Sequence, residues 1–315
     1  MILTITANAA LDRVIFIPEF QATTVMRAQR VRECVGGKGF DTSVVLQALG
    51  VSQLAMGFVA GEVGKRLREL LEAYSIPHDL VWVTGETRIA HVIVETSHQR
   101  HSHIITPGYK LSIQDQAKFM ERFRQQVRQA SWVVCAGSVP EHVPDDFYRT
   151  IVEVARQASA QTLIDSSRAF VLQATPAKPA ILKMNRSEFG ETFGETFGIS
   201  SDSMAELNHR ARQIIDREDL PAIVITCGKD GILAITQQGS WLANSPRQQE
   251  VNAAGAGDAV SAVLAWRFSE KDDWPAALKM AAATSAAVVL TEGTADCRLE
   301  DVERIYQDTL VRQLP

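Results

Sequence analysis

Hydrophobic and polar positions follow two alternating patterns from Val44 onward. Short runs of β-branched and other apolar residues predict buried strands, and longer segments with apolar residues every three or four positions predict helices. This alternation is typical of βαβ units, in which a mainly parallel sheet is covered by helices on both faces. The predicted strands are 2–6, 53–58, 131–135, 161–165, 181–184, 222–226 and 232–236, and the predicted helices are 41–49, 65–74, 113–129, 144–159, 204–217, 256–268, 274–291 and 299–309.

Two segments break this alternation. Residues 13–35 and 87–107 lack a helical period, and within the second segment 89–95 and 101–105 alternate apolar and polar residues with a period of two. Such alternation predicts strands of a separate small sheet. We therefore expect a main α/β domain made of 1–12, 36–86 and 108–315, with a small sheet made of 13–35 and 87–107.

Three histidines, His98, His101 and His103, lie close together in the second of these segments. A metal site needs ligands that converge from several elements, whereas these side chains belong to the tip of one hairpin. Solvated polar side chains are the favoured interpretation, and a metal site is the alternative.

The amino-acid composition limits which binding partners and which cellular compartment we expect for this protein. The chain has 315 residues, 46% of them hydrophobic, which is enough for a full core, and its formal net charge is −5. Nucleic-acid binding depends on a basic surface, so nucleic acid is not an expected partner. The four cysteines are scattered without zinc-ligand spacing, no apolar run reaches the ~20 residues that cross a bilayer, and the first residues do not resemble a signal peptide. We expect a cytoplasmic protein with no membrane contact.

Two glycine-rich turns, each followed by an apolar helix, carry the first chemical signal. One spans residues 255–258 and ends in Asp258, and the other spans residues 35–39. Glycines let phosphate oxygens approach the backbone N–H groups at a helix N-terminus, where the helix dipole also favours an anion. An aspartate beside such a phosphate can accept the proton of a substrate hydroxyl. The alternative for either turn alone is an ordinary strand-to-helix connection.

With both turns present in this order, the chain resembles the PfkB-type carbohydrate kinases of the ribokinase-like superfamily. The family signatures are an N-terminal G-G-K-G-x-N, here at 36–41, and a C-terminal G-A-G-D, here at 255–258. The pattern is closest to the branch of 1-phosphofructokinase, tagatose-6-phosphate kinase and the minor 6-phosphofructokinase. The resemblance implies a three-layer α/β/α fold with a mainly parallel central sheet and a small β-sheet lid over the sugar. Further matches lie at Thr87-Arg88, 136–140, 164–167, 183–188 and 226–231.

The resemblance implies a catalytic role for the late glycine turn. Asp258 would be the base that takes the proton of the acceptor hydroxyl, and the backbone N–H groups of Gly255, Ala256 and Gly257 would form the anion hole. An Ala-Ala pair precedes this turn where the family usually has Thr-Val, a change that keeps the backbone donors. On position alone, the alternative for Asp258 is a helix N-cap.

ATP and Mg²⁺ are implied as cofactors. Asn185 and Glu188 match the family's N-x-x-E, which holds magnesium through water beside the nucleotide phosphates, and Lys183 matches a position that reaches those phosphates. Without the family, Glu188 would be interpreted as a charge at a helix N-terminus. The turn after strand 222–226 resembles the loop over the ribose, and small residues of helix 274–291 resemble the wall of the adenine slot. The residues carried over to the nucleotide are Thr226, Gly228, Gly231, Ala282 and Ala286.

The resemblance also implies a site for a monovalent cation, with K⁺ as the candidate ion, as in many relatives. No motif of its own marks this site, so the implication comes from position along the chain. The residues concerned are Asn252, Ala254, Val288, Thr291 and Gly293.

For the acceptor sugar, the resemblance implies a polar set made of Asp12, Gly37, Lys38, Gly39, Asp41 and Ser138. Asp41 departs from the family, which has asparagine here, so an acceptor-only group replaces one that also donates. Arg88 matches the arginine that meets the phosphate of a phosphorylated sugar, and Arg27 is a supporting candidate, because a buried phosphate needs fixed cations. A surface ion pair is the alternative for Arg27.

Together these residues predict an ATP-dependent kinase that converts a ketohexose monophosphate to the bisphosphate. The candidate acceptors are fructose 1-phosphate, tagatose 6-phosphate and fructose 6-phosphate. Two alternatives stay open: a kinase of an unphosphorylated sugar or nucleoside, and a non-catalytic sugar-phosphate sensor. Because the exposed face and edges of a small sheet favour pairing between copies, we expect a homodimer through the lid.

Overall fold

The computed structural model describes residues 1–98, 100–194 and 202–315, which form a large sheet, a small sheet and helices on both faces of the large one. Short apolar runs form most of the strands, as their period predicts. The strands are β1 (Ile2–Thr6), β2 (Ala10–Ile17), β3 (Arg30–Gly36), β4 (Gln53–Val59), β5 (His78–Trp82), β6 (Arg88–Glu95), β7 (Arg100–Ile105), β8 (Trp132–Ala136), β9 (Gln161–Asp165), β10 (Ile181–Asn185), β11 (Ala222–Thr226), β12 (Ile232–Thr236), β13 (Gly239–Asn244) and β14 (Leu310–Leu314).

The large sheet has the spatial order β14-β13-β12-β11-β10-β9-β8-β1-β4-β5. From β11 to β5 every neighbouring pair is parallel, and from β11 to β14 every pair is antiparallel. Parallel strands end together, so the carboxyl ends at Thr6, Ala136, Asp165 and Asn185 share one edge of the sheet. In open α/β sheets, this edge is where ligands bind.

Helices cover both faces of the large sheet. Ile5 and Phe119 belong to the core on one face, which α3 to α7 cover, and Ile2 and Val263 belong to the core on the other face, which the remaining helices cover. The predicted three-layer α/β/α architecture is confirmed. No helix of the described chain is both long and apolar enough to span a bilayer. The helices are α1 (Lys38–Ala48), α2 (Gly61–Ala73), α3 (Ile113–Gln126), α4 (Phe147–Gln157), α5 (Arg168–Ala174), α6 (Arg186–Phe193), α7 (Asp202–Glu218), α8 (Ala256–Ser269), α9 (Trp274–Val288) and α10 (Leu299–Asp308).

The small sheet, here called the lid, has the order β3-β2-β6-β7. Its outer pairs are antiparallel and its central pair, β2 with β6, is parallel. Val14, Phe16 and Val92 form a buried apolar cluster on one face, because alternate residues of a strand point to the same side. The predicted small sheet is confirmed, and Asp12, which the sequence placed in the main domain, lies within β2 of the lid.

The sequence pattern missed three strands of the large sheet and two short helices. The strands β5, β13 and β14 lie at or near the two ends of the sheet, and β14 is largely exposed. Such strands lack the continuous apolar run of a fully buried strand. The helices α5 and α6 have seven and eight residues, which is too short for a clear helical period.

Candidate active site

The two glycine turns lie side by side because α1 and α8 pack against each other. α1 begins after Gly37 and α8 begins after Gly255, with φ of 98° and 86° at these two glycines. A Cβ on Gly255 would lie 2.4 Å from the backbone of Ala295, and a Cβ on Gly39 would lie 2.4 Å from the carbonyl oxygen of Ile5. Neither glycine can carry a side chain without a backbone shift.

Both helix N-termini face one cavity of about 470 Å³ between the sheet edge and the lid. It therefore joins residues from both ends of the chain. From the acceptor set predicted from sequence, the cavity is lined by Asp12, Gly37, Lys38, Asp41, Arg88 and Ser138. From the catalytic and cation sets, it is lined by Ala254, Gly255, Asp258 and Glu188.

Other members of the predicted sets lie outside the cavity wall. Gly39 packs behind it against β1. Ala256 and Gly257 are the first residues of α8, next to the lining residue Gly255. Arg27 is exposed in the segment that joins β2 to β3 and is not among the residues that line the cavity.

Asp258 lies in the first turn of α8, and its side chain is buried at the cavity. It does not cap the helix, because the N-cap is Gly255. Its Oδ1 atom has no hydrogen-bond partner within the described part of the chain. Burial and the nearby carboxylate of Asp165 raise the pKa of Asp258 to about 7, although Lys183 and Lys38 oppose this. An unpaired carboxyl group that titrates near neutrality is suited to accept a proton from a substrate hydroxyl.

Asp165, at the carboxyl end of β9, joins the cations of the site. It is fully buried, and its Oδ2 accepts hydrogen bonds from Lys183 Nζ at 2.7 Å and Ser261 Oγ at 2.7 Å. Its Oδ1 accepts from Lys38 Nζ at 3.1 Å. Burial opposes ionisation, but Lys183 and Lys38 outweigh it and lower the pKa of Asp165 to about 2. A permanent carboxylate therefore fixes both ammonium groups.

Lys183 lies directly beneath the late glycine turn. Its side chain is 3% exposed, and a Cβ added to Gly257 would lie 3.2 Å from its Nζ atom. Lys38 reaches the same region from α1 and also donates to Glu188 Oε1 at 2.8 Å. Two lysines thus hold positive charge around the N-terminus of α8, where a helix already favours anions.

Asn185 and Glu188 form a capping box at the start of α6. The Glu188 backbone N–H donates to Asn185 Oδ1, and the Asn185 backbone N–H donates to Glu188 Oε2, both at 2.8 Å. Each of these oxygens has further acceptor capacity. A hard, hydrated cation such as Mg²⁺ prefers oxygen ligands and often binds proteins through water, so this pair fits the predicted magnesium site.

Asp12 and Arg88 occupy the lid side of the cavity. Thr294 Oγ1 donates to Asp12 Oδ2 at 2.9 Å, and burial raises the pKa of Asp12 to about 6 against the opposing effects of Thr294 and Arg88. Arg88 donates from Nη2 to the carbonyl oxygen of Asn8 at 3.0 Å. Its buried Nε has no hydrogen-bond partner in the part of the chain that the structure describes. A guanidinium with unused donors beside a cavity is suited to bind an anion.

A second cleft, of about 320 Å³, lies between the turn after β11 and α9. Gly228, Gly231 and Ala286 line it, as expected for the nucleotide from the sequence. Thr226 is the last residue of β11 and lies opposite Asn185 of β10. It does not line this cleft. Ala282 is buried one turn before Ala286, where its carbonyl oxygen accepts a hydrogen bond from Ser245 Oγ at 3.2 Å.

The residues assigned to a monovalent cation gather in one loop region. Asn252 Nδ2 donates to the carbonyl oxygens of Glu292 and Gly293 at 3.2 and 3.3 Å, and Thr291 Oγ1 donates to that of Val288 at 3.1 Å. Asn252 Oδ1 accepts from the Ala254 N–H at 3.1 Å. Carbonyl oxygens are the ligands that K⁺ prefers, and each can accept more than one contact.

Several cavity residues were not assigned a role from the sequence, among them Asn8, His103, Ile105, Arg168, Phe170 and Thr294. His98 lies in the hairpin turn, but His101 and His103 lie on β7, and His103 lines the cavity. The period-two pattern of 101–105 contained this signal, since residues 103 and 105 share a face. Asp165 was recognised only as part of a matching motif.

Comparison with known proteins agrees with this geometry. The profile of the pfkB family carbohydrate kinases matches residues 4–301. The 1-phosphofructokinase of Bacillus subtilis is 29% identical over 292 residues, which cover 93% of each protein. The ATP-dependent 6-phosphofructokinase isozyme 2 of Mycobacterium tuberculosis is 28% identical over 306 residues, which cover 97% of this chain and 89% of that protein.

The fold has close counterparts among solved structures. A Thermotoga maritima protein described as a possible 1-phosphofructokinase superposes with a TM-score of 0.89 at 26% identity, and the alignment covers 100% of both chains. The three-layer fold with its lid and the sequence match over nearly all of the chain lead to the same conclusion. The chain belongs to the pfkB family of carbohydrate kinases.

Proposed function

We propose that this protein transfers the γ-phosphoryl group of ATP to a hydroxyl of a ketohexose monophosphate, with Asp258 as the general base. The observation that carries the proposal is the Oδ1 atom of Asp258, which is buried and unpaired within the described chain. It lies at a helix N-terminus beside the cavity and close to two fixed lysines. A kinase needs a base, an anion-binding nest and positive charge in this combination.

The acceptor would lie under the lid with its phosphate toward Arg88. Because burying an unpaired phosphate is costly, the unused donors of Arg88 favour a phosphorylated sugar over an uncharged one. Asp12 would accept a hydrogen bond from a sugar hydroxyl. The names of the relatives support this class: the enzymes from B. subtilis and M. tuberculosis are phosphofructokinases. Fructose 1-phosphate, fructose 6-phosphate and tagatose 6-phosphate are the candidate acceptors.

The nucleotide would lie in the second cleft, with its triphosphate directed toward Gly255–Gly257. Asp258 would take the proton of the attacking hydroxyl, the backbone N–H groups of the turn would bind the charge on the transferring phosphoryl group, and Lys183 would add positive charge from below. Mg²⁺, held through water by Glu188 and Asn185, would neutralise part of the triphosphate charge when bound. K⁺ beside Asn252 would stabilise the loop that precedes the turn.

We also propose that two copies pair through the outer face of the lid, the face turned away from the cavity. Ile15 of β2 lies between Val31 of β3 and Ile93 of β6 in a cross-strand apolar row, and Ile104 of β7 lies on the same face. Val31 and Ile104 are 52% and 55% exposed. Burying such a row against its own copy would form an isologous interface.

An ADP-release assay over matched sugars and sugar phosphates tests the acceptor. The wild-type protein should prefer one phosphorylated ketohexose. Arg88→Ala should lower kcat/KM for that substrate by roughly 10²-fold or more, because a buried charge pair is broken, and should change turnover of the free sugar much less. Arg149→Ala, which removes an exposed ion pair with Glu153 on α4, is the matched control. Equal losses on phosphorylated and free sugars, or no loss, would contradict the role of Arg88.

A further inference from the structure

Asp41 is a buried carboxyl group at the cavity, and the proposed reaction does not define its protonation state. It lies in the first turn of α1 and is 5% exposed. Its Oδ1 atom is buried and has no hydrogen-bond partner within the described chain, yet the residue lines the cavity. An unpaired polar atom that is buried beside an open space points to a ligand as its partner.

The charges around Asp41 do not favour a third carboxylate. The charged groups that face it are Asp12 from β2, Asp258 from α8 and Lys38 from its own helix. The Lys38 ammonium is bonded to Asp165 and Glu188, at 3.1 and 2.8 Å, so its charge is already compensated. Burial, followed by the repulsion of Asp12 and Asp258, raises the pKa of Asp41 well above its usual range.

A neutral carboxylic acid has a different hydrogen-bonding capacity from a carboxylate. It donates one O–H and still accepts, whereas the carboxylate only accepts. A sugar hydroxyl that donates to the Asp12 carboxylate can still accept a hydrogen bond, and a ring oxygen can only accept. Either oxygen therefore needs a donor other than Asp12. Asp41 can supply that donor from the first turn of α1 without placing a third negative charge beside Asp12 and Asp258.

We propose that Asp41 binds the acceptor sugar as a neutral carboxylic acid and donates its O–H to a sugar oxygen. This inference rests on the proposed function and adds the protonation state of the acceptor site. Asp258 must lose its proton to act as a base, and Asp41 must keep its proton to act as a donor. The two requirements give opposite pH dependences: kcat rises with pH through about 7, and the KM for the acceptor rises once Asp41 ionises.

The kinetic test compares the wild-type protein with Asp41→Asn, whose amide has the same shape, donates and cannot ionise. In the wild type, the acceptor KM should rise by ~10-fold per pH unit above the ionisation of Asp41, while the KM for ATP stays flat. In Asp41→Asn, the acceptor KM should stay within about threefold of its neutral value across the same range. Asp41→Ala, which loses the donor, should have a raised acceptor KM at every pH.

A stability measurement tests the protonation state without any substrate. Because folding raises the pKa of Asp41, the folded wild type binds a proton that the unfolded chain has released, so its stability falls relative to Asp41→Asn as pH rises above about 4. The free energy of unfolding of Asp41→Asn, minus that of the wild type, should therefore increase with pH. This holds even if no sugar phosphate is turned over, which would contradict the proposed function alone.

Three results would overturn the inference. The first is an acceptor KM that rises equally with pH in the wild type and Asp41→Asn. The second is an Asp41→Asn protein whose acceptor KM is raised more than ~10-fold at every pH, since that would mean that the carboxylate itself is required. The third is a stability gap that does not change with pH.

Discussion

At the scale of single residues, Asp165 organises the charges of the site. It is a fully buried carboxylate that holds Lys38 from α1 and Lys183 from β10 around the N-terminus of α8. Burying the Lys183 ammonium, which is 3% exposed, without a counter-charge would be costly. The carboxylate thus fixes positive charge where a phosphoryl group would be transferred, and it leaves the neighbouring Asp258 free to accept a proton.

Replacing Asp165 by Asn should destabilise the fold by about 3–5 kcal/mol, because it leaves the buried Lys183 ammonium without its counter-charge, whereas Lys38 keeps Glu188. Urea unfolding at pH 7 measures this. Since the pKa of Asp165 is lowered to about 2, the stabilisation is present above its usual value near 4 and is lost as pH falls toward about 2. Glu191→Gln, which removes the partner of Arg168 in an exposed pair, is the control and should change stability by about 1 kcal/mol or less. A loss of similar size in both variants would contradict this role.

Residue roles differ in how far the sequence could predict them. The glycine turns and Asp258 follow from a local pattern and are found at one cavity. The partners of Asp165, Lys38 and Lys183, are 127 and 18 positions away from it in the sequence. No rule based on residue spacing predicts these contacts. His103 was interpreted from its neighbours along the chain, whereas its position in the cavity depends on how the lid docks on the main domain.

At the scale of secondary-structure elements, burial decides what the sequence could predict. The strands at 2–6, 161–165, 222–226 and 232–236 were predicted with the ends that are observed, because their apolar runs are covered on both faces. The strands β5 and β14 lie at the two ends of the sheet, where one side has no neighbouring strand, and their patterns are weaker. Helix starts shifted by a few residues, as at Phe147 against a predicted 144, because a residue pattern locates a helix end only to within a few positions.

At the scale of the whole molecule, the lid is attached to the main domain mostly through its inner face. Thr294 bonds Asp12, Arg30 pairs with Glu292 at 2.8 Å, and Arg32 pairs with Asp296 at 3.6 Å. These contacts join segments that are more than 250 residues apart in sequence. The outer face keeps the apolar row of Val31, Ile15 and Ile93, in which Val31 is exposed and the two isoleucines are half-buried.

If two copies pair through the lid, the molecular mass measured in solution should depend on the apolar residues of its outer face. Val31→Arg combined with Ile104→Arg should convert a dimer into a monomer in sedimentation equilibrium, because burying two unpaired charges is costly. Ile113→Arg is the matched control: Ile113 is 80% exposed at the start of α3, away from the lid. A wild-type monomer, or an unchanged dimer in the double variant, would contradict the proposed interface.

The most direct test of the central claim is the turnover of Asp258→Asn on the phosphorylated ketohexose that the wild type prefers. Removing a general base should lower kcat by about 10²- to 10⁴-fold, with ATP binding and the melting temperature kept. In the wild type, kcat should fall as pH drops through about 7, where Asp258 gains its proton. An Asp258→Asn enzyme that keeps kcat within about tenfold of the wild type would contradict the account.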